Sequence, residues 1–171
     1  MATSDERTPP RDSNEYETPR EFFDRLHAEF NFTLDAFASD QNAKCEAYLC
    51  EVGMNAFDIE WGICGAVFAN PPYSSNILGR AVARMAEQSE VQRAVVVGLI
   101  PPNTGTNWWH EIVMRRASEV RLLRGRLAFE YRGVPLKGNR YDSCLVIFRP
   151  GIHGPQFTSM EASGRCPKRS S

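Results

Sequence analysis

At 171 residues the chain is long enough for one ordinary hydrophobic core and too short for two. With 42% apolar and 24% charged residues it has a globular composition, which excludes disordered and fibrous classes. No apolar run approaches the roughly 20 residues that a membrane helix needs. The net charge of −1 hides an asymmetry: residues 1–61 carry 14 acidic and 5 basic side chains, whereas residues 113–171 carry 12 basic and 4 acidic. The basic last third is a candidate phosphate-binding face, with neutralisation by the acidic first third as the plainer alternative. Five scattered cysteines without a CxxC pair read as reduced cytosolic thiols, and they lack the close ligand pairs of a metal site.

Residues 1–17 are polar and acidic, which predicts a disordered tail and neither a signal nor a transit peptide. Thr18, Pro19 and Glu21 have capping-box spacing, and Phe22, Phe23, Leu26 and Phe30 follow at helical intervals, so an amphipathic helix is predicted over about 19–30. Phe32–Phe37 reads as a short buried strand, with a possible helical stretch around Ala43–Leu49. Ala66–Ala69 is a second strand that must stop at Pro71-Pro72, because proline cannot continue a central strand. A helix over Ser75–Gln88, a doubly covered strand over Ala94–Ile100, a helix over Thr106–Arg116 and a strand over Val120–Leu123 follow. Leu127–Tyr131 and Ser143–Phe148 read as a final antiparallel pair, and residues from about 150 to 171 as a flexible tail.

This alternation predicts an α/β fold over 18–149, with a mixed sheet, helices on both faces and a late antiparallel hairpin. Ligands in such sheets bind beyond the carboxyl ends of the strands. That rule places Asp35–Ser39, Asn70–Tyr73 and Pro101–Thr106 along one edge, where Asn103, Thr104 and Thr106 are candidate pocket residues.

Asn70-Pro71-Pro72-Tyr73, directly after an apolar strand, is the sharpest chemical feature. Two prolines stiffen the backbone and remove two donors, and an Asn side chain adds a neutral amide oxygen. The result is an acceptor-rich cradle for a planar –NH2 group, with Tyr73 positioned to stack on its ring. Such an amine is a poor nucleophile while its lone pair is delocalised. Hydrogen bonds from its two protons to Asn70 and the Pro71 carbonyl favour a pyramidal nitrogen, so the chemistry rests on positioning more than on a general base.

TPREFF, FTLDAFASDQNAKC, NPPYS, IPPNTGTNWWH and RGRLAF follow in the order and spacing of the phage-type DNA N-6-adenine methyltransferases, which the chain resembles over residues 18 to about 148. The resemblance implies a Rossmann-like methyltransferase fold, S-adenosylmethionine as methyl donor, and adenine in double-stranded DNA as acceptor. It assigns the catalytic role to Asn70, Pro71, Pro72 and Tyr73, and donor binding to Thr18, Pro19, Asp35, Phe37 and Asp58. Where most methyltransferases carry a Gly-rich turn after the first strand, this chain has AFASD. The resemblance further implies a phage- or prophage-encoded enzyme in a bacterial cytoplasm that protects DNA from restriction.

For DNA contacts the candidates are one of the adjacent Trp108 and Trp109, with Trp108 chosen, and the cations Arg115, Arg116, Arg121, Arg124, Arg126, Lys137 and Arg140. The target adenine has to leave the stack, which costs a few kcal/mol. Oligomeric state stays open between monomer and weak dimer. Two rivals also stay open: methylation of a protein glutamine amide, which poses the same –NH2 problem, and a DNA-binding relative without catalysis.

Overall fold

In chain order the elements are α1 (Arg20–Phe30), β1 (Phe32–Asp35), β2 (Ala47–Tyr48), β3 (Ala66–Ala69), α2 (Ser75–Gln92) and β4 (Val96–Ile100). A π-helical turn, Trp109–Val113, then runs directly into α3 (Met114–Arg116). The strands β5 (Glu119–Arg124), β6 (Glu130–Tyr131), β7 (Val134–Pro135), β8 (Cys144–Phe148) and β9 (Gln156–Glu161) complete the chain. The computed structural model describes residues 16–49, 55–62, 65–136 and 141–163.

Seven strands form one sheet in the order β2-β1-β3-β4-β8-β5-β9. All run the same way except β8, which is antiparallel to both β4 and β5. The apolar strands β3, β4 and β8 are buried along their whole length, as doubly covered strands must be. Their alternate residues feed two cores. On one face Val67, Val96 and Val146 meet Leu78, Val82 and Met85 of α2, with Trp109 and Val113. On the other, Phe68, Val97 and Leu145 meet Phe22, Phe23 and Leu26 of α1, with Leu127 and Phe129. Helices therefore cover both faces, as the strand–helix alternation predicts. Gly98 permits the closest of these approaches, because a Cβ there would lie 2.7 Å from the Met85 sulfur.

Four local expectations are corrected. The capping box at Thr18 does not form: Pro19 is the N-cap, no side chain caps α1, and Arg20 is its first residue. Asn31 closes that helix in the left-handed conformation at φ 54°, donating to the His27 carbonyl. The stretch around 43–49 contributes strand β2 in place of a helix, since Ala47 and Tyr48 pair alongside Leu34 and Asp35. In the late antiparallel pairing, the partners of β8 are β4 and β5, while Glu130–Tyr131 pairs with Val134–Pro135 as a separate ribbon. That ribbon turns on Arg132 and Gly133, both at positive φ (49° and 72°), the geometry of a two-residue hairpin turn whose twist matches its strands. Lastly, the tail expected from about 150 supplies β9, which pairs parallel to β5 over six residues. The glycines and prolines at 150–155 suggested a tail, but the outer edge of β5 needs partners for its backbone groups, and β9 provides them.

Phe23 is 1% exposed, edge-on to Phe68 at 5.2 Å between ring centroids, and ties α1 to the sheet. Phe23→Ala should lower unfolding stability by about 3–5 kcal/mol in urea titration. Val91→Ala, at a side chain 60% exposed, should stay within about 0.5 kcal/mol.

Candidate active site

After β1 the chain leaves to one side for β2, and then crosses to the other side for β3. Chain paths that diverge in this way open a crevice at the carboxyl ends of the strands. There the structure holds a cleft of about 610 Å³. Its walls come from the ends of β1 and β3, from the loop around Asn55–Phe57, and from the β6–β7 ribbon. Register sets the spacing, because Asp35 lies opposite Phe68 in the parallel β1–β3 pair. Asn70, two residues on, therefore reaches the same cleft.

At the acidic end Asp35 is 3% exposed. Its Oδ2 accepts the Lys44 backbone N–H at 3.1 Å, whereas the buried Oδ1 meets no hydrogen-bond geometry with any partner among the described residues. Burial pushes the carboxyl up from 3.8 to about 6, against the opposing pull of the Lys44 and Phe37 amides and the Lys44 charge. A buried carboxylate with one oxygen turned to a cleft suits a cation or an N–H donor. Phe37 stands beside it, edge-on to Phe57 at 5.5 Å and to Trp61 at 6.1 Å. Phe37 and Phe57 both line the cleft and offer an aromatic wall to a planar ring.

At the amide end Asn70, Pro71, Pro72 and Tyr73 all line the cleft. Asn70 Nδ2 donates to Thr18 Oγ1 at 3.2 Å, which leaves the amide oxygen as the end available for an incoming donor. The Tyr73 hydroxyl donates to the Leu99 carbonyl at 3.3 Å, and its ring sits edge-on to Phe129 and Tyr141, at 6.1 and 6.5 Å. Burial raises the phenol far above its ordinary range, so Tyr73 stays protonated and acts as a fixed aromatic wall.

Tyr16 and Glu17, expected to belong to a disordered tail, instead form with Thr18 a strap that closes one side, because Glu17 finds backbone partners on Glu130. Glu17 makes an antiparallel bridge to Glu130, with backbone bonds of 2.8 and 2.9 Å in the two directions. Its carboxylate accepts the Arg132 N–H at 2.9 Å and lies 3.7 Å from Lys44 Nζ. Glu17, Lys44, Phe57, Phe129, Tyr131 and Arg132 line the cleft, and of these the sequence reading singled out only Arg132, as the start of a basic loop toward DNA. The pairing of Glu17 with Glu130, 113 positions apart in sequence, brings the strap to the ribbon, and no local pattern announces that contact.

The remaining candidates are placed as follows. Thr18 and Phe37 line the cleft, Pro19 does not, and Asp58 is exposed in a turn just past the lining residues Asn55, Ala56 and Phe57. Asn103, Thr104 and Thr106 are held in their own turn, Thr106 Oγ1 donating to the Asn103 carbonyl at 2.8 Å, and do not line the cleft. Trp109 is core at 3% exposure, while half-buried Trp108 packs on α2 beside Gly79, where a Cβ would come within 2.9 Å of its ring.

The arginines do not form one strip. Arg121 is paired with Glu29, by two bonds of 2.7 Å, and with Glu119. Arg124 and Arg126 follow the carboxyl end of β5, on the same edge as Asn70, exposed and near Glu161 and Asp142 at 3.6 and 3.9 Å. Because β4 and β5 run the same way, the helical segment between them returns the chain to the opposite edge. Arg115 and Arg116 lie there, away from Asn70. Lys137 and Arg140 lie outside the described residues.

The strand-end amide and prolines and the buried carboxylate line one cleft. A family model described as DNA N-6-adenine-methyltransferase (Dam) matches residues 5–163, which takes in the strap, the cleft and the whole described sheet. No curated protein matches the chain. A match of that extent, over a cleft with these residues at its two ends, means that the chain belongs to the DNA N-6-adenine-methyltransferase (Dam) family.

Proposed function

We propose that this chain is an S-adenosylmethionine-dependent enzyme with a Rossmann-like methyltransferase fold, which methylates N6 of an adenine flipped out of double-stranded DNA. The observation that carries the reading is the Asn70 amide at the end of β3, its nitrogen bonded to Thr18 and its oxygen left for an acceptor amine, in one cleft with the buried Asp35 carboxylate. Asp35 would hold the positively charged part of the donor, and Phe37 with Phe57 would offer its adenine an aromatic wall. S-adenosylmethionine, when bound, supplies an electrophilic methyl carbon on a positively charged sulfur.

Every other part of the chemistry falls to the chain. The Asn70 oxygen and the Pro71 carbonyl accept the two N6 protons of the adenine, which shifts its lone pair from the ring toward the nitrogen. Tyr73, anchored through its hydroxyl, keeps the ring in place. An amide cannot take up the proton that the methylated nitrogen sheds, so that proton passes to solvent. Arg124 and Arg126, exposed at the carboxyl end of β5, are the DNA contacts on this edge, with salt-dependent affinity. Protection of phage DNA from a host nuclease is the use this activity fits.

The decisive experiment gives the protein methyl-labelled donor with either unmodified DNA or a protein extract. Label in DNA is expected, and label in protein alone would replace this reading with glutamine-amide methylation. Asn70→Ala should reduce DNA methylation by about 10²-fold or more, with donor binding unchanged in calorimetry; near-full turnover in that variant would refute the cradle.

Asp35 gives a second prediction with a defined sign. Its folded-state pKa of about 6 exceeds the ordinary 3.8. The stability it contributes is therefore fully present below about pH 4 and lost as pH rises through about 6. A cationic donor favours the ionised carboxylate, so donor affinity should weaken roughly ten-fold from pH 7.5 to pH 5. Asp35→Asn should bind more weakly at neutral pH and lose that dependence. A flat wild-type profile would remove Asp35 from the donor site.

A further inference from the structure

An asparagine side chain has two unlike ends, and only its oxygen accepts a hydrogen bond from an amino group. Turned the other way, Asn70 would point its own –NH2 at the –NH2 of the acceptor, and both would be left unpaired. The stiff Pro-Pro backbone fixes where Asn70 sits but not which end of the amide faces the cleft. Among the described residues, the Asn70 side chain is oriented by a hydrogen bond from its Nδ2 to Thr18 Oγ1, at 3.2 Å.

Thr18 is unusually well placed for that contact. It is 3% exposed and held from both sides along the chain. Following it, Pro19 caps α1, which Phe22 and Phe23 seat on the sheet. Preceding it, Glu17 is bonded through its backbone to Glu130 and through its carboxylate to the Arg132 amide. The hydroxyl is also free of the helix-capping work its position suggests, since α1 has no side-chain cap.

We infer that Thr18 is a positioning residue of the methyl-transfer site: its hydroxyl accepts from Asn70 Nδ2 and so directs the amide oxygen at the acceptor amine. This rests on the methyltransferase reading above, and gives Thr18 a task distinct from donor binding. The side chain touches neither reacting atom; it acts through Asn70. The strap makes the assignment geometrically strict, because shifting Thr18 would also break the Glu17–Glu130 bridge.

The test is steady-state DNA methylation at saturating donor by the full chain and by Thr18→Val, Thr18→Ser and Thr18→Ala, with donor affinity measured by calorimetry. Thr18→Val keeps the shape and removes the hydroxyl. Its kcat should fall roughly ten-fold, the scale of one net hydrogen bond, with donor affinity and the KM for DNA within about two-fold of wild type by the same reasoning. Thr18→Ser should restore kcat to nearly the wild-type value. Should Thr18→Val fail to fold, the Ser and Ala pair carries the same comparison, with Ser active and Ala impaired. Three outcomes would overturn the assignment alone: full kcat in Thr18→Val, a loss confined to donor affinity, or Ser as impaired as Val. A wild-type chain that leaves DNA unmethylated would instead overturn the methyltransferase reading, and this assignment with it.

Discussion

The parallel pairing of β1 with β3 is the constraint on which the site depends. It sets Asp35 opposite Phe68, with the Ala36 amide bonded to the Phe68 carbonyl at 2.9 Å. A buried acid at one strand end and the Asn-Pro-Pro-Tyr turn at the next thereby share one crevice. Neither strand can slide without reversing which of its side chains face α1 and which face α2, and both faces are filled with large apolar groups. The hydrophobic core therefore fixes the register, and the register fixes the distance between the two chemical ends of the cleft. The two prolines then end β3 where its backbone has to turn outward.

Charge is organised more locally than its distribution along the sequence suggests. An acidic residue of the first third meets a basic residue of the last third where Glu29 pairs with Arg121, whereas Glu17 pairs with Lys44 and accepts only the backbone amide of Arg132. The Arg121 guanidinium holds the Glu29 carboxyl below its ordinary value. Neutralisation within the fold thus accounts for part of the asymmetry, and the basic side chains left on the catalytic edge are fewer than the total implies. The strap and ribbon also place a cation, Arg132, at the mouth of the cleft through a turn that demands positive φ at that residue.

What could be read from the residues alone follows from which interactions are local. Helical periodicity in Phe22, Phe23 and Leu26, the unbroken apolar runs of β3 and β4, and the strand-ending prolines each carry their own instruction, and the sheet with helices on both faces follows from them. The same holds for Asn70–Tyr73, where residue type and position after a strand already define an acceptor-rich turn. Pairings between distant segments carry no such instruction. The placing of β8 between β4 and β5, the addition of β9 at the edge and the Glu17–Glu130 bridge are decided by which backbone edges need partners. For that reason Glu17 and Phe129 stayed hidden as site residues, and Thr18 was read first as a helix cap and a donor contact. Its hydroxyl meets Asn70, 52 positions away, and only the folded sheet reveals that pair.

The central claim is that this cleft presents an adenine amine to a methyl donor. It is tested most directly by digesting DNA treated with the protein and S-adenosylmethionine to nucleosides and identifying the methylated product by mass spectrometry. The account predicts N6-methyldeoxyadenosine as the sole new nucleoside, formed by the wild-type chain and absent from controls lacking the donor. A methylated cytidine, or DNA left unmodified under conditions in which the donor is demonstrably bound, would contradict it.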